Sequence, residues 1–342
     1  MKILRNGDSF RLRKYLKIIS KKLHIYALLV RIYLHLDRLL KQFISTTKSF
    51  AFPGSEPLAI MGSDSTSRRA WNKKLNVLRK RKGFASPSRP ADYKRSLYNG
   101  IDKVSVISSL YKSDEYLENW IINLKEQTIF DEVEIVIVSV NPSSFETDLL
   151  NAFSSQCSNV KIINIQERIG IYKAWNIAIK EATGNLITNA NADDLRRFDS
   201  LEIQRSAFTQ NPAIHITYQD FYISLARNAT WHEIETINLF SRVPEVTFQI
   251  LINGNNPPHN APMWRKNLHD ELGGFDETYL SSGDYEFWLR CVLAKKVFFN
   301  NGERHVSYFL NPKGMSTKRG GPGLDESLTI KNEYRKRADI KN

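Results

Sequence analysis

The chain has 342 residues, 42% of them hydrophobic, enough to bury one large core or two smaller ones, so a soluble globular protein is the starting expectation. Its two cysteines, Cys157 and Cys291, fit no C-x-x-C or metal-ligand spacing, which excludes a disulfide scaffold and a cysteine zinc site. The formal charge of +13 sits at one end: residues 1–100 hold 23 Lys and Arg against 5 Asp and Glu, and the remainder holds 26 against 31, so a nucleic-acid-binding surface over the main domain is excluded.

In chain order, residues 1–50 read as a basic helical extension. Apolar residues recur at Leu12, Leu16, Ile19, Leu23, Tyr26, Val30 and Tyr33, then at Leu40 and Ile44, the spacing of an amphipathic helix. The other faces carry Arg11, Arg13, Lys14, Lys17, Lys21 and Lys22, so the helix over 11–44 either lies on an anionic membrane surface or packs on its own domain or on a second copy. No charge-free apolar run approaches the roughly 20 residues that cross a bilayer. The first 30 residues also lack a signal peptide's apolar core and cleavage site, so the expectation is a cytoplasmic protein, peripheral on the inner membrane face if the helix binds lipid.

Residues 51–100 read as a basic, Pro- and Ser-containing linker with one short helix near Trp71 to Leu78. The run Arg79-Lys80-Arg81-Lys82 has no interleaved aromatic platform, and no nucleic-acid partner is expected.

From residue 101 the pattern changes. Val104 to Ser109, Val133 to Val140, Val160 to Ile165 and Leu186 to Thr188 are short apolar runs, and helical stretches begin at Ser113, near Ser143 and at Gly170. Continuous apolar strands alternating with helices predict an α/β domain over 101–320, a mostly parallel sheet between helical layers, with 321–342 left as a charged tail. Ligands of such sheets sit beyond the strand carboxyl ends, which gathers 108–113, 139–144 and 189–194 around one crevice.

Two blocks carry the chemistry. The first runs from Arg168-Ile169-Gly170-Ile171-Tyr172-Lys173-Ala174-Trp175-Asn176 through Ala182-Thr183-Gly184-Asn185, with Gly184 expected as a helix C-cap, to Asn189-Ala190-Asn191-Ala192-Asp193-Asp194. The second is Gly273-Gly274-Phe275-Asp276-Glu277 leading into Ser282-Gly283-Asp284-Tyr285-Glu286-Phe287-Trp288-Leu289-Arg290. On their own, Asp193-Asp194 and Asp284 also read as turn and helix-cap residues.

Together these blocks resemble family 2 glycosyltransferases of the GT-A (Rossmann-like) fold, in particular the branch with G-I-Y-D-A-M-N … F-L-N-A-D-D. The resemblance covers roughly 103–318. It implies an inverting enzyme that moves sugar from a nucleotide-diphosphate sugar to a hydroxyl of a glycan or lipid-linked acceptor, as in surface polysaccharide or glycolipid synthesis. By resemblance Asp193 holds Mn²⁺ or Mg²⁺ against the diphosphate, with Asn191 as a weaker neutral ligand and Asp194 as the alternative. Asp284 matches the general base. The donor side takes Ser109, Tyr111, Lys173, Asn176, Asn191 and Ala192, with Ser139 or Asn141 replacing an absent aspartate and Arg168 facing a phosphate or capping its turn. The acceptor side takes His259, Gly283 and Tyr285. Two other readings stand beside this one: a sugar nucleotidyltransferase, which would lack the second block, and a non-catalytic carbohydrate-binding or scaffold relative.

Overall fold

A computed structural model describes residues 65–79, 102–316 and 321–339, all within one compact unit spanning 51–342. The helix expected over 12–44 and the basic residues 80–82 lie outside the described residues.

The predicted alternation is present. Strands β1 (Val104–Leu110), β2 (Glu134–Val140), β3 (Val160–Ile165) and β4 (Leu186–Asn189) form a parallel half-sheet in the order β3-β2-β1-β4. Helices α2 (Asp114–Lys125), α3 (Ser144–Gln156) and α4 (Ile171–Glu181) provide the crossovers. β1 and β2 are buried along almost their whole length, as a sheet covered on both faces requires. Helix α3 starts where Ser143, in extended conformation, accepts the Glu146 amide at 3.0 Å.

Beyond β4 the sheet becomes mixed and continues through β8 (Met263–Arg265), β6 (Ile216–Ser224), β9 (Phe298–Phe309) and the two-residue β5 (Leu195–Arg196), with β7 (Phe240–Ser241) paired to β6. Between these strands lie α5 (Ser200–Gln210), α6 (Trp231–Ile237), α7 (Phe248–Ile252), α8 (Leu268–Leu272) and α9 (Gly283–Leu293). The core divides by sheet face. One side centres on Trp120, Leu117, Phe153 and Phe208, and the other on Trp175, Trp264, Phe287 and Trp288.

Three expectations change. Gly184 is not a C-cap: α4 ends at Glu181 and is closed by Ala182 in extended conformation, while a Cβ on Gly184 would meet Ser105 Oγ at 2.6 Å and the Lys103 carbonyl at 2.7 Å. Close packing of chain on chain, and not backbone curvature, requires glycine there. Within the stretch read as a linker, α1 (Ser65–Arg79) is a packed helix that buries Trp71, Leu75 and Leu78, each worth about 1.5–3 kcal/mol by transfer from water. Arg68 donates to the carbonyls of Leu225 and Leu310, and Arg79 pairs with Glu233 on α6. Residues 321–339 likewise hold α10 (Pro322–Asp339), whose Ile330 and Tyr334 belong to the core. Its buried stripe is only Gly323, Ser327, Ile330, Lys331 and Tyr334, too polar to stand out in a charged segment.

Candidate active site

Strand β4 ends at Asn189 on the carboxyl edge of the sheet, and the chain turns through Ala190–Asp194 into β5. Ser108 Oγ donates to the Ala190 carbonyl at 2.7 Å, fixing the turn to β1. Buried Arg196 braces it from below, donating to Thr188 Oγ1, the Asn189 carbonyl, Ser200 Oγ and Gln204 Oε1, and desolvation lowers its pKa to about 9.

Asp194 accepts the Phe309 amide at 2.8 Å and the Asn191 amide group at 3.0 Å, so it ties the turn to β9. Asp193 accepts from Asn311 Nδ2 at 3.4 Å. Desolvation pushes both carboxyls upward, and the charge of Asp193 pushes Asp194 further. An adjacent pair of half-buried carboxylates is a fitting environment for a hard divalent cation, which would offset their mutual repulsion. Among the described residues no group of three or more His, Cys, Asp or Glu gathers for a metal. The protein donor set at this turn is therefore small and made of oxygen atoms.

The donor-side candidates separate. Ser109 is half-buried at the end of β1, and Tyr111 follows it with Arg168 at 5.3 Å and Lys112 at 5.4 Å from its ring centroid, a cationic rim at the crevice. Asn141 is exposed at the end of β2 with φ 47°. Ala192 lines a small cavity with Asp193, Tyr116 and Phe309. Lys173 is exposed and 4.0 Å from Glu167.

Two donor-side candidates are corrected. Ser139 is fully buried and donates to Glu146 Oε1 at 2.7 Å, so its hydroxyl faces helix α3 and not a ligand. Asn176 is occupied by the second block: its Oδ1 accepts the Phe275 amide at 2.9 Å, and its Nδ2 donates to the Phe275 carbonyl at 2.8 Å and to Glu277 at 2.9 Å. It clamps α4 to the Gly273–Glu277 loop.

Asp284 is the second residue of α9. Ser282, with no side-chain cap bond, is the N-cap, so Asp284 does not cap the helix. Its two oxygens are held separately: Tyr172 donates its hydroxyl to Oδ1 at 3.0 Å and Asn256 its amide to Oδ2 at 2.9 Å. Desolvation raises its pKa while these bonds draw it down. Gly283 lets the Tyr172 ring approach, since a Cβ there would lie 2.8 Å from two ring carbons. Tyr285, expected on the acceptor side, is buried and donates to the Leu251 carbonyl, so it packs α9 on α7. His259 closes the turn Pro257–His259 and meets the rings of Phe221 and Tyr308 edge-on at 4.9 Å each. Burial lowers it to about 3, so it is a neutral ring at physiological pH.

Tyr308 lies within electrostatic reach of both carboxylate centres: burial raises its pKa, and the charges of Asp194, Asp193 and Asp284 add to the rise. Its hydroxyl pairs with Ser316 Oγ at 3.2 Å. The residues missed from sequence are therefore Tyr172, Asn256, Tyr308 and Asn311. Tyr172 lay inside a quoted motif, but nothing in its spacing marks it as a carboxylate partner.

Similarity to known proteins agrees with this fold. The Escherichia coli UDP-Gal:alpha-D-GlcNAc-diphosphoundecaprenol beta-1,3-galactosyltransferase is 22% identical over 64% of this chain and 78% of its own length. S. aureus TarS 1-349 in complex with UDP superposes with a TM-score of 0.50 and 18% identity over 67% of this chain and 64% of that one, and the chain spans 39% of a longer TarS chain. The mannosyltransferase PcManGT from Pyrobaculum calidifontis, in complex with GDP-Man and Mn2+, superposes with a TM-score of 0.50 and 14% identity over 82% of this chain and 76% of its own. The fold shared with these structures is the GT-A α/β fold. Residues 105–272, the part of the chain that carries β1 to β4 and the Asp193 turn, match the model of Glycosyl transferase family 2.

Proposed function

We propose that the protein is an inverting glycosyltransferase that moves a sugar from a nucleotide-diphosphate sugar to a hydroxyl of a glycan or lipid-linked acceptor. The observation that carries this reading is the pair of carboxylate centres, Asp193 on the turn beyond β4 within the family 2 match and Asp284 held between Tyr172 and Asn256 at the start of α9. Structural neighbours in complex with UDP, or with GDP-Man and Mn2+, support a nucleotide-sugar donor, and the E. coli relative, named for a GlcNAc-diphosphoundecaprenol substrate, supports a lipid-linked acceptor.

Asp193 would hold Mn²⁺ or Mg²⁺, with Asn191 or Asp194 as further oxygen ligands, and a cation bound there would supply positive charge against a diphosphate. Arg168 and Lys112 add positive charge at the same rim. Asp284 acts on the other reactant. Tyr172 and Asn256 fix its carboxylate, which takes the proton of the acceptor hydroxyl as that oxygen forms a bond to the anomeric carbon. The bond from that carbon to the diphosphate oxygen breaks on the opposite face, and its electron pair leaves with the diphosphate. One displacement inverts the anomeric configuration.

The test is Asp284→Asn. Turnover falls by on the order of 10²-fold or more, the scale for a positioned general base, while donor affinity stays near wild type. Transfer at the wild-type rate, or a product that keeps the donor's anomeric configuration, overturns the mechanism.

A further inference from the structure

We infer that Glu326, on the C-terminal helix α10, is a positioning residue for Asp284. The inference rests on the assignment of Asp284 as base. The turn just before α9 presents three successive backbone amides to one carboxylate: Leu280 donates to Glu326 Oε1 at 2.7 Å, and Ser281 and Ser282 both donate to Oε2 at 2.9 Å. Ser282, the N-cap of α9, adds its hydroxyl, which donates to the Gly323 carbonyl at 3.1 Å and lies 3.2 Å from Ser327 Oγ. A carboxylate accepting several amides is a strong, directional contact, because each bond is charge-assisted. Here it fixes the two residues that precede Gly283 and Asp284.

The geometry downstream explains why this matters. Gly283 packs against the Tyr172 ring with no room for a methyl group, and Tyr172 holds one oxygen of Asp284. A shift of the 280–282 turn is therefore carried directly into the distance between Tyr172 and Asp284. The lower part of α9 is fastened to the same helix, since Tyr334 of α10 donates to Glu286, which also pairs with Arg290. A side chain held in productive geometry by such supporting bonds loses rate, and not substrate affinity, when they are removed. Glu326 lies 54 residues beyond the end of the family 2 match at residue 272, so this is a feature of the chain's own C-terminal segment.

The experiment uses the full chain with Mn²⁺, and nucleoside diphosphate release from UDP-galactose, GDP-mannose or dTDP-glucose, whichever turns over fastest. Glu326→Ala should lower kcat about tenfold and leave KM for the donor within about twofold, and Glu326→Gln, which keeps an accepting oxygen, should fall between Ala and wild type. In the Asp284→Asn background, Glu326→Ala should cause no further loss, because the two residues act as one unit. Wild-type kcat in folded Glu326→Ala, or a full additional tenfold loss in the Asp284→Asn background, overturns the positioning role and leaves the base assignment standing. If Glu326→Ala does not fold, Glu326→Gln at the wild-type rate overturns it equally. A wild-type rate for Asp284→Asn alone removes the base assignment and this inference with it.

Discussion

The two halves of the crevice are built in different ways. On the proposed donor side, Asp193 and Asp194 sit on a tight turn after a parallel strand, braced by Ser108, Arg196 and Asn191 from β1, β5 and the turn itself and tied at its outer edge to Phe309 and Asn311. On the acceptor side, Asp284 depends on segments far apart in sequence: Tyr172 is 112 residues away and Asn256 28 residues away. The family 2 match ends at residue 272, so it contains the Asp193 turn with its braces from β1 and β5 and stops before Asp284, Phe309 and Asn311. The frame of the turn is thus built by neighbouring strands, whereas Asp284 stands on a helix fastened to α4, the Asn256 loop and α10.

Asp193→Ala should produce the largest break in this comparison. It removes the proposed metal ligand of the turn, so metal-dependent binding of UDP or GDP, measured by calorimetry with and without Mn²⁺, should be abolished while the fold persists. Undiminished metal-dependent binding takes Asp193 out of the site.

A smaller break falls on the other half. Tyr172→Phe removes one hydrogen bond to the ionised form of Asp284 and should lower kcat/KM about tenfold, the value of a single bond to a charged group. The pH profile carries the sign. Burial raises the Asp284 pKa and the Tyr172 bond lowers it, so without that bond the ionised form is less favoured. The base must be ionised to act, so activity is lost as pH falls through this pKa, and the acid limb should move to higher pH in Tyr172→Phe. A tenfold loss with an unmoved acid limb would separate Tyr172 from the base.

The smallest effect on sugar transfer is expected from the N-terminal region. A chain beginning at Ser63 retains α1 and should keep its melting temperature and donor binding, yet lose affinity for phosphatidylglycerol vesicles if residues 11–44 bind an anionic membrane. Equal vesicle binding by both chains rejects that role. Trimming on to Ser96 removes α1 with Trp71, Leu75 and Leu78, and the melting temperature should then fall.

These halves also differ in how much could be read in advance. The parallel strands, their crossovers and the crevice turn were legible because each is a contiguous run whose period declares it. Asp193 and Asp284 were singled out only through motif resemblance. Ser139 was misread because in a strand buried on both faces every side chain meets protein, and its hydroxyl was already committed to Glu146. Asn176 was misread for a related reason: its partner, the Phe275 backbone, lies 99 residues on, and no local pattern reveals which polar side chain a distant loop will occupy. Helix α10 was taken for a tail because the surface it buries is mostly small and polar, and its value lies in hydrogen bonds that hydropathy does not register.

Gly283 sets a mechanical tolerance in this site. The clearance between α9 and the Tyr172 ring is less than one methyl group, with an added Cβ falling 2.8 Å from ring carbons where ordinary contact begins near 3.4 Å. Any larger residue must drive the ring or the helix aside, and either movement opens the gap between the tyrosine hydroxyl and the aspartate. The spacing has a hard stop on one side and no slack on the other, so the alignment of Asp284 is gauged by the absence of a single carbon atom.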